Sequence, residues 1–110
     1  MSEPSVICER TYQMVLDGET KAVPVRWFQP QADRSDWNCQ YEIVWPHQAR
    51  RRRAVVGIDS VQALLLAMQS VAGELYDAEP PVFLYEPDDV LDLPPFESVA
   101  HLEAARTKGR

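Results

Sequence analysis

Gly57-Ile58-Asp59-Ser60-Val61-Gln62-Ala63-Leu64-Leu65-Leu66-Ala67-Met68 is the stretch that decides the fold. Before it, apolar and polar residues alternate as in a strand. After it, apolar residues recur at helical spacing, and the change occupies two residues. Asp59 is a good N-cap because its carboxylate accepts from the unpaired N–H groups of a first helical turn, and Gln62 three residues on has capping-box spacing. Val61, Leu64, Leu65, Met68, Val71, Ala72 and Leu75 then define a wide apolar face. The helix is expected to end near Tyr76 or Asp77, since Pro80-Pro81 cannot continue it.

Working back toward the N-terminus, the sequence predicts four strands. The first runs from Val6 to Leu16, with Cys8, Tyr12, Met14 and Leu16 on one side and Arg10 interrupting that face. Asp17-Gly18 signals a tight hairpin, because Gly supplies positive φ at no steric cost and Asp tolerates it. The return strand spans about Ala22 to Gln29, and Pro24, which has no N–H for the ladder, assigns it to a sheet edge or a bulge. Pro30 to Asp36 reads as a polar loop. Trp37, Cys39, Tyr41, Ile43 and Trp45 form the cleanest alternation in the chain. A fourth strand, about Ala49 to Ile58, is expected to turn Ala54, Val56 and Ile58 to the core.

Beyond the helix, Val82-Phe83-Leu84-Tyr85 is a short strand or an apolar latch, and Pro87 to Pro95 is an extended acidic loop. Phe96 to Arg106 has a weak helical pattern in Val99, Leu102 and Ala105, and Thr107 to Arg110 is expected to fray. The resulting expectation is an α+β fold: a four-stranded antiparallel β-meander, one long amphipathic helix packed on one face, and an irregular acidic C-terminal segment. A chain of 110 residues with 45% hydrophobic content suits a single domain, residues 1–110, with a core over about 6–77 and an extension over about 78–110.

Composition narrows the function classes. No apolar run reaches the ~20 residues of a membrane span, and the first residues lack a signal-peptide layout, which points to the cytoplasm. Cys8 and Cys39 fall on apolar faces and read first as free, buried thiols, with a disulfide between the two strands as the second reading. The net charge of −6 disfavours nucleic acid or an anionic membrane as a partner of the whole surface. The charge is also polarised. From Glu74 to Glu103 acidic residues stand at positions 74, 77, 79, 86, 88, 89, 92, 97 and 103 with no Lys or Arg among them, whereas Arg50-Arg51-Arg52-Arg53 is a basic run.

The segments Asp36-Trp37-Asn38-Cys39-Gln40-Tyr41-Glu42-Ile43 and Gly57-Ile58-Asp59-Ser60-Val61-Gln62-Ala63-Leu64, with Glu74-Leu75 closing the helix, carry a resemblance. Over roughly Arg10 to Tyr76 the chain resembles a family of small bacterial proteins catalogued as a domain of unknown function. The resemblance implies a bacterial, stand-alone protein and brings no catalytic residues with it.

The candidate sites each have two readings. On a strand, Arg50 to Arg53 divide between two faces, and Arg51 and Arg53 are expected on the solvent face beside Gln40 and Glu42. There they form cross-strand ion pairs, worth roughly 0.2–1 kcal/mol each, or a basic patch that grips a carboxylate-rich or phosphate-rich partner. Glu86, Asp88, Asp89 and Asp92 are a solvated loop or a pole that plugs a basic cleft; they lack the glycine of a calcium loop. Trp27, Trp37 and Trp45 fit a core, although Trp27 or Phe28, on opposite faces of the expected edge strand, is a candidate exposed anchor, as is Leu66 on the helix. His47 and His101 are far apart and have neither the spacing of a metal site nor an adjacent nucleophile, so no metal or cofactor is expected.

These features point to a non-catalytic protein-binding domain, an immunity-type or inhibitory protein using its acidic surface. The partner-binding candidates are Asp88, Asp89, Asp92, Arg51, Arg53 and Phe28. A self-associating accessory subunit is the second reading. The third is a small enzyme, and it requires Glu42, His47 and an arginine of the run to converge in one pocket.

Overall fold

The computed structural model describes residues 3–108. Its elements are β1 (Val6–Leu16), β2 (Glu19–Phe28), β3 (Gln31–Asp33), β4 (Asp36–Ile43), β5 (Arg51–Gly57), α1 (Ser60–Tyr76), β6 (Val82–Phe83) and α2 (Glu97–Lys108). The fold is α+β, with an antiparallel six-stranded sheet and two helices. The expected four-stranded meander is present as β1-β2-β4-β5, and two short strands extend it. Pro30 to Asp36 is a hairpin rather than a loop: Gln31 to Asp33 pair with Asn38 to Asp36, and Arg34 at the turn takes φ of 60°. β6 pairs with Gln13 and Met14 of β1.

The Asp17-Gly18 turn is as expected, with φ of 50° and 81°, and it joins the Leu16–Glu19 pair. Pro24 does not place β2 at an edge. That strand lies between β1 and β4. The Pro24 carbonyl accepts from the Val44 N–H at 2.9 Å, so its ring nitrogen faces the same side, just past the Val25–Ile43 pair where β4 ends. A donor is missing only at the end of a ladder, where it costs little.

The core forms between one face of the sheet and α1. Tyr12, Met14, Val23, Val25, Trp27, Cys39, Tyr41 and Ile43 meet Ala63, Ala67, Val71, Ala72, Leu75 and Tyr76. The buried stripe of α1 is rotated from the expected one. Ala63 and Ala67 lie against the sheet, whereas Val61 and Leu65 are turned out to solvent. Small side chains permit a close approach, and Gly57 shows how close: a Cβ there would lie 2.5 Å from the backbone nitrogen of Ala63. Asp59 caps α1 by accepting from the Gln62 N–H at 2.7 Å, and the Gln62 side chain reaches back to the Ile58 N–H.

With Gly57 facing α1, the two-residue period of β5 turns Val55, Arg53 and Arg51 to the helix side, opposite Cys39, Tyr41 and Ile43. Ala54 and Val56 therefore lie on the outer face, correcting their expected place in the core. Ile58 is exposed as well.

The C-terminal segment is not an irregular appendage. Leu91 and Leu93 belong to the same core as Tyr12 and Leu75. Tyr12 donates to the Leu91 carbonyl at 2.8 Å, and the Leu91 N–H donates to the Tyr76 hydroxyl at 2.9 Å. Arg10, which interrupts the apolar face of β1 in sequence, donates to the carbonyl of Asp92 at 2.9 Å. Arg106 of α2 donates to the carbonyls of Val82 and Asp89 and lies over the Tyr76 ring. Thr107 and Lys108 are helical, and the remaining expectations, for the Val99 side chain and for a frayed Gly109-Arg110, lie outside the described residues. Among those residues no helix is long and apolar enough to cross a membrane.

Candidate functional site

The arginine run of β5 divides as a strand requires, but with the faces exchanged. Arg52, not Arg51 or Arg53, is on the outer face with Glu42. Glu9 of β1, Arg26 of β2, Glu42 of β4 and Arg52 of β5 make a row of alternating charge across four strands. Arg26 reaches Glu9 at 3.3 Å and Glu42 at 3.1 Å, and Arg52 reaches Glu3 at 3.0 Å and Glu42 at 4.0 Å. Glu42 is buried beneath the two guanidinium groups. Phe28 sits under Arg52, with the guanidinium carbon 4.2 Å from the ring centre. Phe28 is 4% exposed and Trp27 3%, so neither ring is the exposed anchor expected from an edge strand. The Trp27 indole N–H finds no acceptor among the described residues. Leu66 is half-buried.

Arg51 and Arg53 border a cleft on the helix side with Tyr41, Ile43, Trp45, Gln48, Ala49 and Glu74. The Tyr41 hydroxyl donates to Glu74 at 2.6 Å, and Arg53 is 3.9 Å from the same carboxylate. Burial first, then the Glu74 hydrogen bond, holds the Tyr41 phenol well above its ordinary value. A neutral phenol on a carboxylate that also faces a guanidinium is a settled network, and it anchors the C-terminal half of α1 to β4 and β5. Neither Glu42 nor His47 lines this cleft. Glu42 lies on the opposite face of the sheet, and His47 stands edge-on to Trp45 with ring centres 5.7 Å apart. The constellation required by the small-enzyme reading does not assemble.

The acidic residues separate into different roles. Asp89 is 7% exposed, and its carboxylate accepts from the N–H groups of Tyr85 at 2.6 Å and Glu86 at 2.8 Å. It ties a turn together, with its carboxylate turned inward rather than to solvent. Asp92 is exposed and lies 3.8 Å from Arg10, and Asp88 is exposed with φ of 72°. The sequence signal for Asp89 was its place directly before the apolar Val90-Leu91 in a proline-flanked segment, which suits a turn whose N–H groups need an acceptor.

Burial also pushes the Cys39 thiol up to about 11 from an ordinary value of 9.0. Both cysteines are free; Cys39 is buried, with its sulfur 3.2 Å from the Phe28 carbonyl, whereas Cys8 is only half-buried. A group whose proton is held more tightly in the folded chain stabilises it fully below the unfolded value, and that contribution is lost as pH rises through the folded one. Between pH 9 and 11 the unfolding free energy is expected to fall by an amount on the order of 1–2 kcal/mol, lowering the urea midpoint, and by less in Cys39→Ala. Urea titrations at stepped pH check this; a midpoint that is flat to pH 11 contradicts it.

Apart from Tyr85, at 80%, the most exposed large apolar residues stand around the corner where β5 meets α1, and sequence reasoning assigned them to the core. Val56 is 61% exposed, Ile58 73%, Val61 74% and Leu65 44%. Val61 and Leu65 are one helical turn apart on the same face. Val61 also lines a shallow cleft with Gln29, Pro30, Trp37, Ser60 and Leu64. The apolar corner continues into the outer edge of β5, where Arg51, Arg52, Arg53 and Ala54 are exposed. Arg50 and Arg51 have no ion pair among the described residues.

A small α+β domain whose C-terminal segment pairs with one outer strand, while no described strand pairs with the outer edge of β5, is the class of protein that this geometry defines. The chain belongs to the family described as Domain of unknown function (DUF6968), which it matches over residues 8–81. The match takes in β1 through α1 and ends before β6. No curated protein and no solved structure shows significant similarity to the chain.

Proposed function

We propose that this protein is a non-catalytic, protein-binding domain of the bacterial cytoplasm, and that it docks its partner at the β5–α1 corner. The observation that carries this is the exposure of Val56, Ile58, Val61 and Leu65 around the junction of β5 and α1, on a strand whose arginines are also exposed. Apolar side chains massed at one place rather than scattered mark an interaction surface, and a basic rim gives such a surface its selectivity. An immunity-type or inhibitory role is one form of this function. The acidic side is the weaker docking face, because Asp89 is consumed by its turn and Asp92 stands against Arg10.

The test places a photo-crosslinking residue at Ile58 or Val61 in the native bacterium, with Asp88 and Asp92 as comparison positions. One discrete protein adduct from the corner, lost when Leu65→Asp is added, is the expected result. Adducts from Asp88 or Asp92 alone would return the docking face to the acidic side. An adduct of twice the chain's own mass would replace a foreign partner by self-association.

A further inference from the structure

We propose that the bare edge of β5 is a strand-addition site for an extended, acidic protein segment whose side chains alternate carboxylate and apolar. This rests on the corner being the docking face and names what docks there. The direction of the backbone groups follows from the register. Within an antiparallel strand the N–H and C=O of one residue point to the same edge, and successive residues point to opposite edges. The Val44 N–H is given to β2, so Glu42 and Gln40 face β2 and β3, while Ile43, Tyr41 and Cys39 face β5. Their partners Arg51, Arg53 and Val55 face back to β4. Arg52, Ala54 and Val56 therefore point their N–H and C=O groups away from the sheet.

The two sides of the sheet are treated differently. The outer edge of β1 is paired at Gln13 and Met14 by Phe83 and Val82 of β6, and Arg10 on the same strand holds the C-terminal segment through the Asp92 carbonyl. No described strand pairs with the outer edge of β5, which runs for 7 residues without a proline or a bulge. Such an edge is a template for another strand.

Side chains state what that strand must carry. An added residue shares the face of the residue it opposes. Opposite Arg51 and Arg53, on the helix side, a carboxylate meets two cations: Arg51 has no ion pair among the described residues, and Arg53 has only a 3.9 Å contact with Glu74. Opposite Ala54 and Val56, on the outer side, an apolar side chain covers exposed apolar surface. A second copy fits the edge less well: antiparallel pairing of β5 with itself about Ala54 sets Arg51, Arg52 and Arg53 opposite Gly57, Val56 and Val55 and supplies no carboxylate to the arginines. A net charge of −6 and a requirement for backbone ladder bonds decide against nucleic acid.

The probe is a blocked peptide of alternating glutamate and valine, as long as β5, titrated into isotope-labelled protein at low salt. The expected result is new exchange protection at the amides of Arg52, Ala54 and Val56 and none gained at Arg53 or Val55. Ala54→Pro is expected to weaken binding about tenfold or more while the β4 ladder stays intact, because its lost N–H faces outward. Arg51→Ala with Arg53→Ala is expected to weaken it comparably, and a lysine–valine peptide is expected not to bind. A peptide N-methylated at alternate residues gives the same information from the ligand side if Ala54→Pro fails to fold. Equal binding by Ala54→Pro and by the N-methylated peptide, or full displacement by an oligothymidylate, overturns strand addition. Should that happen while Val61 still crosslinks its partner, the docking face stands and only the mode of docking falls.

Discussion

Gly57→Ala is expected to destabilise the protein by about 3 kcal/mol or more, the upper range for forcing extra volume into a packed site. The added Cβ would lie 2.5 Å from the nitrogen and 2.9 Å from the Cα of Ala63, and 3.0 Å from the carbonyl carbon of Gln62. All three are backbone atoms, so no rotamer change relieves the contact. Either α1 lifts from the sheet at its N-terminus or β5 shifts against β4. Gly73→Ala is the matched comparison, because nothing lies within 4 Å of its added Cβ. It removes a glycine from a helix interior and is expected to stabilise by about 0.5–1 kcal/mol. Denaturant titrations of both variants check the pair. A Gly57→Ala midpoint equal to that of the parent chain contradicts the close approach of α1 to β5.

Leu91→Ala is expected to cost about 3 kcal/mol, within the usual range for emptying a fully buried leucine site. Leu91 is bracketed by two tyrosine hydroxyls, one donating to its carbonyl and one accepting from its N–H, so the cavity cannot close by a simple collapse of the segment. Asp88→Asn, three residues earlier and exposed, is expected to change stability by less than about 0.5 kcal/mol. If Pro87 to Pro95 were a solvated acidic loop, both substitutions would be near neutral. Equal midpoints for Leu91→Ala and the parent chain would therefore restore that reading.

The elements were legible where a local rule governs them. Asp17-Gly18 gave its hairpin, Asp59 and Gln62 gave the start of α1, and the run from Trp37 to Ile43 gave β4, because turn chemistry, capping and alternation each act over a few residues. Faces were harder to read. The parity of β5 depends on which of Val55 and Val56 lies under α1, and hydrophobicity alone does not separate two adjacent valines. Gly57 held the answer: the residue nearest the helix backbone must lack a side chain, and its two-residue period then carries Val55 inward. The same close approach explains why Ala63 and Ala67, rather than Val61 and Leu65, form the buried stripe. Size complementarity overrode the simple count of apolar residues.

The candidate site was the least legible part. Arg51 and Arg53 were identified but placed on the wrong face, and that error followed from the parity of β5. Phe28 was read as exposed because Pro24 suggested an edge, whereas β4 ends level with Pro24 and makes no demand on its missing N–H. Asp89 was grouped with Asp88 and Asp92 by charge. Burial separates it from them, and burial depends on Leu91, Tyr12 and Tyr76 meeting across more than seventy residues of chain, as in the Tyr12–Leu91 contact. Val56, Ile58, Val61 and Leu65 look in sequence like core residues, and only the rotation of α1 and the parity of β5 bring them out together.

Amide hydrogen exchange of the free protein, resolved by residue, tests the bare edge most directly and needs no partner. The expected result is slow exchange at Arg53 and Val55, whose N–H groups face β4, with exchange near the open-chain rate at Ala54 and Val56, at every protein concentration. Protection of Ala54 and Val56 to the level of their neighbours would contradict the account: the edge would already be covered, by a second copy if the protection grew with concentration and by this chain itself if it did not.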